Sequence, residues 1–325
     1  LERVLFSANP RAQLEVASNP EFLREGAAVL DFMKPERVIV GTRSARAEKL
    51  LRQIYQPLIR EGANFLNTTP ESAELTKYAS NAFLATKISF MNEVAFLAEK
   101  LGADVTEIAK GMGLDSRIGS SFLQPGPGYG GSCFPKDTVA LLRAAQEHSA
   151  SMRILETVVE VNHAQKARMV RKIIDALGGE TEGKKLAVLG LSFKAGTDDI
   201  REAPSLSILP ILLEKGISVR AHDPAGMENA RSLMPELQFC ESAYQACSGA
   251  DALCLMTDWD EYKKLNLKKL KSLLATPTIV DLRNAFDPEA MRKEGLYYSS
   301  LGRPVVELSE KKKVVALRRA NGRKS

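Results

Sequence analysis

Apolar and polar positions alternate over the first 68 residues in short segments with two different periods. Apolar runs at residues 14–17, 37–40 and 63–66 are typical of buried strands. Residues 46–60 carry apolar side chains at helical spacing, which predicts an amphipathic helix. Strands that alternate with helices in this way form open α/β sheets. We therefore expect residues 1–68 to be the C-terminal part of a doubly wound, Rossmann-like domain.

A long uninterrupted helix is predicted to follow. Thr69 is a favourable N-cap, Pro70 suits the first helical position, and no glycine or proline occurs again until Gly102. A helix of about 30 residues would be roughly 45 Å long, well above the usual length. We expect it to form a spine or a subunit interface, and so predict a homodimer or higher homo-oligomer. Further helical patterns, which complete a central helical and dimerisation domain over residues 69–177, lie at residues 105–111, 137–148 and 154–177.

The pattern changes again after residue 178. Four apolar segments typical of buried parallel strands lie at residues 185–191, 218–222, 252–256 and 278–282. Helical segments at residues 205–215 and 265–274 stand between them, and this alternation predicts a second doubly wound sheet over residues 178–310. The expected fold class is therefore α/β. Two Rossmann-like domains, the first incomplete, are joined by the long central helix and the helical middle domain.

Positive charge is concentrated at the end of the chain. The formal net charge is +5, but residues 311–325 contain seven Lys and Arg and no acid, so the rest of the chain is slightly negative. Residues 1–310 are close to neutral and therefore lack the basic surface of nucleic-acid-binding proteins. Their apolar runs are too short for a membrane helix. We expect a solvated basic tail, and neither a nucleic acid nor a membrane as partner.

The four cysteines and three histidines lack the spacing of a metal site. The cysteines form no CxxC pair and the histidines form no HxxxH pair, so we expect no bound metal. The cysteine spacing gives no indication of disulfides, which are rare in a reducing compartment. A cytoplasmic location is therefore expected.

The most informative segment, residues 122–138, is FLQPGPGYGGSCFPKDT. Its glycines formally match GxGxxG, but two prolines interrupt the motif, so a dinucleotide fingerprint is not favoured. A rigid loop whose glycines let the backbone approach a ligand is the better interpretation. The loop places Cys133 at a helix start, where the helix dipole and Lys136 would stabilise its thiolate, with Asp137 one turn later. The alternative is a buried, unreactive cysteine in a tight turn.

Two further pairs of polar residues have a spacing compatible with a site. Lys77 and Asn81 share one face of the long helix, and Glu21 and Glu25 follow a turn-forming Asn-Pro pair. Lys77 and Asn81 also fit an ordinary exposed helix surface, and Glu21 and Glu25 also fit a helix cap. The spacing by itself therefore leaves the roles of both pairs open.

Loop 190–197 follows a predicted strand and precedes a predicted helix, which is where open α/β sheets bind phosphates. Lys194 in this loop and Arg283 after another strand would lie on the same edge of the sheet, and a guanidinium suits phosphate or sugar oxygens. Three charged residues nearby, which belong either to this site or to a charged helix start, are Asp198, Asp199 and Arg201.

Four segments in order along the chain resemble the nucleotide-sugar dehydrogenases, the UDP-glucose/GDP-mannose dehydrogenase family. They are SNPEFLREGAAVLDF, ELTKYASNAFLATKISFMNE, PGPGYGGSCFPKD and GLSFKAGTDDIREAPS, and the resemblance covers almost the whole chain. Phe134 resembles the UDP-glucose branch, since the GDP-mannose relatives tend to carry leucine there. The resemblance implies a four-electron oxidation of UDP-glucose to UDP-glucuronate that uses two NAD⁺.

The resemblance also implies catalytic roles. Cys133 would add to the aldehyde left by the first hydride transfer, a second transfer would leave a thioester, and water would hydrolyse it. Lys77 and Asn81 would stabilise the oxyanion. Asp137 would order the water and Lys77, and Glu21 would act as acid or base in the hydrolysis.

Ligand-binding residues follow from the same matched motifs. The resemblance implies that Glu25, Lys136 and Arg201 face the NAD, and that Arg117 reaches the substrate from a second subunit. The other residues implied to hold the UDP-sugar are Phe22, Leu23, Arg24, Phe122, Leu123, Gln124, Pro125, Gly126, Tyr129, Gly130, Phe193, Lys194 and Arg283.

The chain departs from the family at its beginning. The family starts with a glycine-rich βαβ unit for NAD and later has a threonine-containing loop at its active site, and neither precedes Leu1. We therefore expect an N-terminally truncated chain that alone is poorly active or inactive, with an open sheet edge that promotes aggregation. The alternatives are a two-electron dehydrogenase of the 6-phosphogluconate or hydroxyacid type, a GDP-mannose-type dehydrogenase, and a non-catalytic nucleotide-sugar-binding remnant.

Overall fold

The computed structural model describes residues 2–12 and 14–308, which divide into two units. The first unit runs to Ala82 and the second begins at Phe83, so the boundary lies within one long helix. None of the helices in the described residues is both long and apolar enough to cross a membrane. The predicted basic tail, residues 311–325, lies outside the described residues.

A two-stranded parallel sheet forms the centre of the first unit. Strand β1 (Arg37–Gly41) pairs with β2 (Asn64–Thr68) along its whole length. These strands confirm the predictions at residues 37–40 and 63–66. The helices before and between them are α1 (Glu2–Ala8), α2 (Ala28–Met33), α3 (Ala45–Ile54) and α4 (Gln56–Arg60).

One prediction for the first unit is wrong, and a second is confirmed except for one break in the helix. Residues 14–17 form no strand, and the pairing beside them is an isolated antiparallel bridge between Ser18 and Gly41. An apolar run of this length forms a strand only where a neighbour supplies a ladder of hydrogen bonds. The helix predicted at residues 46–60 is divided at Tyr55 into α3 and α4, because Pro57 has no N–H to continue the helical hydrogen bonds.

The predicted long helix is confirmed as α5 (Pro70–Leu101), which has 32 residues. Thr69 caps its start, since Oγ1 accepts a hydrogen bond from Ser72 N at 3.2 Å. Gly102 follows its end in the left-handed conformation, with φ at 70°. At 1.5 Å per residue α5 is about 48 Å long.

The second unit contains three further helices before its sheet. They are α6 (Val105–Gly113), α7 (Phe134–Glu147) and α8 (Arg153–Ala176), which confirm the three shorter helical patterns. Helix α7 begins earlier than predicted because Pro135 is tolerated in the first turn. A small apolar core joins the end of α5 to α6 and includes Met91, Val105 and Leu123.

A six-stranded parallel sheet follows, in the spatial order β5-β4-β3-β6-β7-β8. The strands are β3 (Lys185–Leu189), β4 (Ser218–His222), β5 (Gln238–Phe239), β6 (Ala252–Leu255), β7 (Thr278–Asp281) and β8 (Tyr297–Ser300). The strand order reverses between β3 and β6, and ligands of open α/β sheets bind at the carboxyl ends of the strands beside such a point. The short edge strands β5 and β8 were not predicted, because neither forms an apolar run.

Helices cover both faces of this sheet, as predicted for a doubly wound fold. They are α9 (Pro204–Glu214), α10 (Met227–Leu233), α11 (Ala243–Cys247), α12 (Asp260–Lys263), α13 (Leu267–Leu273) and α14 (Pro288–Glu294). Successive residues of β3 enter opposite cores: Val188 packs with Ile208 on one face, and Leu189 with Tyr262 on the other.

Residues 198–201 are not a helix start, which corrects one of the two interpretations of that charged segment. Helix α9 begins only at Pro204. The Asp199 carboxylate instead accepts hydrogen bonds from Arg201, one from its backbone N at 2.8 Å and others from its guanidinium. A local turn stabilised in this way competes with helix formation.

Candidate active site

Three buried side-chain amides hold the loop that precedes Cys133. Asn162 binds both polar groups of Tyr129: its Oδ1 accepts from Tyr129 N at 2.8 Å and its Nδ2 donates to Tyr129 O at 3.2 Å. Asn92 Oδ1 accepts from Gly126 N at 2.8 Å, and Gln165 Nε2 donates to Gly126 O at 2.8 Å. Side chains of α5 and α8 therefore determine the backbone of this loop.

The sequence prediction missed these amides, although a signal for them exists. On the buried face of α8, Asn162 and Gln165 stand between the apolar residues Val158 and Met169. Polar side chains at positions that a helical pattern assigns to the core need buried partners. Here the partners are backbone groups of the glycine-rich loop.

Close packing explains the glycines of the loop. A Cβ at Gly130 would lie 2.3 Å from Glu202 O, and Gly131 N donates to Arg201 O at 2.9 Å. Gly128 and Gly131 have φ of 127° and 81°, which few other residues adopt. No strand precedes them among the described residues between α6 and α7. The GxGxxG match is therefore not a dinucleotide fingerprint, as expected.

Cys133 occupies the N-cap position of α7 and is half-buried. Asp137 N donates to Cys133 O at 2.8 Å, so Asp137 lies one turn further along the helix. The Asp137 side chain is buried and its Oδ1 lies 2.8 Å from Lys136 Nζ. The structure therefore brings the predicted nucleophile, carboxylate and lysine together in the first turn of one helix.

The other three cysteines, which also lie in the described residues, differ from Cys133. Cys240, Cys247 and Cys254 are buried in the sheet unit. Burial raises the pKa of Cys247 to about 12, and it raises the pKa of Cys254 even further. The thiols of Cys247 and Cys254 are therefore protonated at neutral pH, all three of these cysteines are buried, and Cys133 has the exposure that a reactive cysteine needs.

Aromatic side chains surround the cysteine loop. The Phe134 ring is 6.2 Å from the Tyr129 ring in an edge-on arrangement and 6.1 Å from the Phe122 ring. The Phe193 ring packs so closely on Gly131 that a Cβ there would lie 2.8 Å from it. These four rings give the loop apolar walls of the kind that position a sugar or a base.

Neighbouring predicted residues of the loop point in different directions. Gln124 is exposed, Pro125 is buried, and Leu123 is part of the apolar core with Met91. The side chain of Leu123 therefore stabilises the fold, and only its backbone is left for a ligand.

Arg283 connects the loops at the carboxyl edge of the sheet. Its Nε donates to Met256 O at 2.7 Å and its Nη2 donates to Phe193 O at 2.8 Å. Its Nη1 lies 3.0 Å from the point where a Cβ on Gly126 would be. Lys194 Nζ is 5.4 Å from the ring centroid of Phe193. Arg283, Phe193 and Lys194 thus lie along one edge, as predicted.

The first unit contributes a separate cluster. Lys77 Nζ lies 3.3 Å from Glu21 Oε1 and 5.5 Å from the Phe22 ring centroid, and the guanidinium of Arg37 lies 4.4 Å from the same ring. Asn81 follows Lys77 by one turn of α5. The predicted residues Glu21, Phe22 and Lys77 are therefore in contact.

Three arginines predicted to bind ligands form bidentate ion pairs with nearby carboxylates instead of standing alone. The pairs are Arg24 with Asp31, Arg117 with Asp115 and Arg201 with Asp199, each with an N–O distance of 2.6 to 2.8 Å. The pKa of Arg24 is raised by Asp31 and the pKa of Asp115 is lowered by Arg117. A ligand phosphate would have to compete with these carboxylates.

Two other predicted residues lie beside Arg24. Leu23 N donates to Glu21 Oε2 at 2.6 Å, and this bond orients the Glu21 carboxylate toward Lys77. Leu23 and Glu25 are both half-buried.

Three family profiles match the chain. They are described as the NAD binding domain, the central domain and the UDP binding domain of the UDP-glucose/GDP-mannose dehydrogenase family, and they match residues 3–59, 71–164 and 187–288.

Curated relatives and solved structures agree with the profiles. A UDP-glucose 6-dehydrogenase of Rhizobium meliloti is 48% identical over 94% of this chain and 70% of its own length. The corresponding protein of Rickettsia prowazekii is 48% identical over 88% of this chain and 67% of its own length. The structure of a UDP-glucose dehydrogenase from Pyrobaculum islandicum superposes with a TM-score of 0.81 at 38% identity, over 87% of this chain and 63% of that one. The chain thus spans about two thirds of these relatives.

Proposed function

This chain belongs to the UDP-glucose/GDP-mannose dehydrogenase family, and from that premise we propose that it oxidises UDP-glucose to UDP-glucuronate with NAD⁺. The observation that carries the proposal is the position of Cys133. It is half-buried at the start of α7, one turn from a buried carboxylate, on a loop whose backbone is held from two helices. A nucleophile fixed in this way suits a reaction that passes through a covalent intermediate.

The residues near Cys133 fit the charge of the cofactor. Arg201 is attached to the cysteine loop through its backbone bond to Gly131, and Lys136 lies in the first turn of α7. Both side chains are about two-thirds exposed, so the NAD diphosphate can reach their cations in competition with Asp137 and Asp199. We assign Lys136, Arg201 and Glu25 to NAD binding. NAD⁺, when bound, accepts the hydrides that the oxidation releases.

Cys133 and Asp137 carry the covalent part of the proposed mechanism. The Cys133 sulfur forms a bond to the aldehyde carbon of the half-oxidised sugar, and the carbonyl oxygen takes up a proton to give a thiohemiacetal. Loss of a second hydride and of the hydroxyl proton leaves a thioester. Water ordered by Asp137 attacks the thioester carbon, the C–S bond breaks, and the thiolate is restored.

Residues of the first unit have electrostatic and proton-transfer roles in the proposal. The Lys77 ammonium and the Asn81 amide stabilise negative charge on the substrate oxygen. Glu21 accepts a proton from the attacking water, since its carboxylate is more exposed than Lys77 and can exchange protons with solvent.

We assign the nucleotide end of the substrate to the carboxyl edge of the second sheet. Arg283 Nη1 is not used in the hydrogen bonds to Met256 and Phe193, and it faces Gly126. Together with Lys194 it offers positive charge to a diphosphate beside the point where the strand order reverses. The Phe122–Gly130 part of the loop supplies backbone and aromatic contacts to the sugar.

Assembly, domain division and location are further parts of the proposal. Helix α5 exposes a line of apolar side chains at Phe83, Phe90, Leu97 and Leu101, each more than half exposed, which supports a homo-oligomer formed through this helix. Such an assembly would let Arg117 reach a neighbouring subunit's substrate.

For the division of the chain into domains, we keep the boundaries 1–68, 69–177 and 178–310. The four unpaired cysteines support the cytoplasm as the location.

The stoichiometry of NADH formation tests the proposal. Turnover of UDP-glucose, however slow, should yield two NADH per UDP-glucuronate formed, measured by absorbance, and Cys133→Ser should stop the net formation of UDP-glucuronate. One NADH per sugar with an unaffected Cys133→Ser variant would support a two-electron dehydrogenase. UDP binding without NADH formation would support a non-catalytic binding protein. A preference for GDP-mannose as substrate would support a GDP-mannose-type dehydrogenase.

A further inference from the structure

A fully buried carboxylate, Asp223, lies directly after β4 at the carboxyl edge of the second sheet. Its Oδ2 accepts hydrogen bonds from Leu191 N at 2.7 Å and Ser192 N at 3.0 Å, and also from the Trp259 indole at 3.2 Å. Leu191 and Ser192 belong to the loop that follows β3. Asp223 therefore binds the loop of the neighbouring strand through that loop's backbone N–H groups.

The second carboxylate oxygen is bound as fully as the first. Asp223 Oδ1 accepts from Gly226 N at 2.7 Å, Ala225 N at 2.9 Å and Ser192 Oγ at 3.2 Å. Burial by itself would raise the pKa of Asp223, but the backbone N–H groups outweigh it and the pKa is lowered. The carboxylate is therefore ionised at neutral pH although the hydrogen-bond donors described above are all neutral.

The N–H groups of Leu191 and Ser192 lie beside the point where the strand order reverses. Strands β3 and β6 flank the point where the strand order reverses. In doubly wound sheets, backbone N–H groups of the loop after the first strand at this point commonly bind the phosphate of a ligand. Here the N–H groups of Leu191 and Ser192 bind Asp223 instead.

We propose that Asp223 is a built-in anion that takes the place of a ligand phosphate in loop 190–194 and thereby positions Phe193 and Lys194 for the nucleotide. The inference rests on the proposed function, in which this sheet edge binds UDP. Asp223 is a positioning residue, because it is buried under the loop and acts through it. The diphosphate then meets the side chains of Lys194 and Arg283 rather than the loop backbone.

The carbonyl groups of the same loop are held from other directions. Ser205 Oγ donates to Leu191 O at 2.6 Å, Thr257 Oγ1 donates to Ser192 O at 2.5 Å, and Arg283 donates to Phe193 O at 2.8 Å. Asp223 supplies the matching anion on the N–H side. Because both the carbonyl groups and the N–H groups of the loop are hydrogen-bonded, the loop has one conformation before the ligand binds. This lowers the entropic cost of binding.

Asp223→Ala in the otherwise intact protein tests the inference through anion rescue. Truncation leaves four backbone N–H groups around an empty space that has the size of a small carboxylate. UDP-glucose affinity, measured by calorimetry, should fall about tenfold, the loss expected for hydrogen bonds to a charged group. Formate should restore a large part of the affinity, whereas chloride at the same ionic strength should not.

Two further variants separate positioning from stability. Asp223→Asn removes the charge but fills the same space. The affinity of this variant for UDP-glucose should fall, and formate should not restore it. If Asp223→Ala does not fold, the affinity of Asp223→Asn decides whether Asp223 acts on UDP-glucose binding. Asp251→Ala is the matched control, since Asp251 Oδ2 accepts from Lys185 N at 2.8 Å at the opposite edge of the sheet. It should lower the melting temperature and leave UDP-glucose affinity unchanged.

The outcomes distinguish the inference from the function on which it rests. A wild-type protein that does not bind UDP-glucose would overturn the proposed function. Wild-type binding with unchanged affinity in folded Asp223→Ala and Asp223→Asn would overturn only the role of Asp223. Lost affinity that formate does not restore in a folded Asp223→Ala protein would show a structural role alone, and would overturn the inference as well.

Discussion

The two units hold their proposed functional residues in different ways. In the second unit, the loop before Cys133 is bound by the buried amides of Asn92, Asn162 and Gln165, and its bonds are shielded from water. In the first unit, Lys77 is held by Glu21, whose side chain is 56% exposed. Buried hydrogen bonds maintain one geometry, whereas an exposed ion pair is weak and exchanges with solvent. The proposed nucleophile Cys133 thus lies on a rigid loop, and the proposed proton-transfer group Glu21 remains open to water.

The largest expected effect comes from removing an amide of the rigid loop. Asn162→Ala leaves both Tyr129 N and Tyr129 O buried without their partners, at an expected cost of about 2–5 kcal/mol in unfolding free energy. Urea unfolding would measure it. His163→Ala, at an exposed position on the same helix, is the control and should change stability by less than about 0.5 kcal/mol. Equal effects of the two changes would remove the basis for calling this loop rigid.

A smaller loss is expected from crowding the same loop. In Gly130→Ala the new Cβ would lie 2.3 Å from Glu202 O, so backbone must move, at an expected cost of about 1–3 kcal/mol. Gly111→Ala is the control, because its Cβ meets nothing within 4 Å and the helix α6 should gain about 0.5–1 kcal/mol. Guanidinium unfolding of both variants would compare them, and a Gly130→Ala protein as stable as wild type would contradict the close packing.

A pH effect is expected from the core of the second unit. Burial lowers the pKa of His222, whose Nδ1 lies 2.8 Å from the Tyr262 hydroxyl, below its ordinary value of 6.5. The neutral ring is favoured in the folded state, so its contribution is complete above pH 6.5 and is lost as pH falls toward the lowered pKa. Melting temperatures should therefore decline below pH 6.5, by less in His222→Gln than in wild type or in the control His163→Gln. Identical slopes in all three proteins would show that another group dominates.

The smallest stability effect belongs to the exposed cluster of the first unit. Glu21→Gln should change the free energy of unfolding by no more than about 0.5 kcal/mol, because exposed ion pairs contribute little. If Glu21 transfers a proton, turnover should nevertheless fall by about 100-fold or more. Stopped-flow measurement of the NADH formed would separate the two effects. Glu71→Gln, which breaks another exposed pair with Arg43, is the control and should alter neither quantity.

Much of the fold could be predicted because its signals are local. The 32 residues of α5 contain no breaker, and Thr69 with Pro70 marks their start. The central strands β3 and β6 of the second sheet contain continuous apolar runs, as expected where both faces are covered. The weak edge strands β5 and β8 and the division of α3 from α4 depend on neighbours or on one proline, so the pattern did not show them.

The candidate site was only partly predictable. Cys133, Asp137 and Lys136 are adjacent in sequence and form one helix start, so their proximity follows from the chain itself. Arg24 and Arg117 stay predictions as ligand-binding residues, and what the sequence did not show is that they are paired with Asp31 and Asp115. Motif positions identify a residue type and do not show which neighbouring carboxylate has neutralised it.

The sequence by itself determined the family, the long helix, the parallel sheet and the identity of the cysteine loop. The tertiary structure decided which side chains hold the loop before Cys133 and the loop after β3 at the sheet edge. Asn162 meets Tyr129 across 33 residues, and Asp223 meets Leu191 across 32. Helical and strand periods arise from interactions between near neighbours, whereas a buried hydrogen bond between distant residues depends on how whole elements pack. A local pattern can therefore show that a buried amide needs a partner, but it does not show which distant residue that partner is.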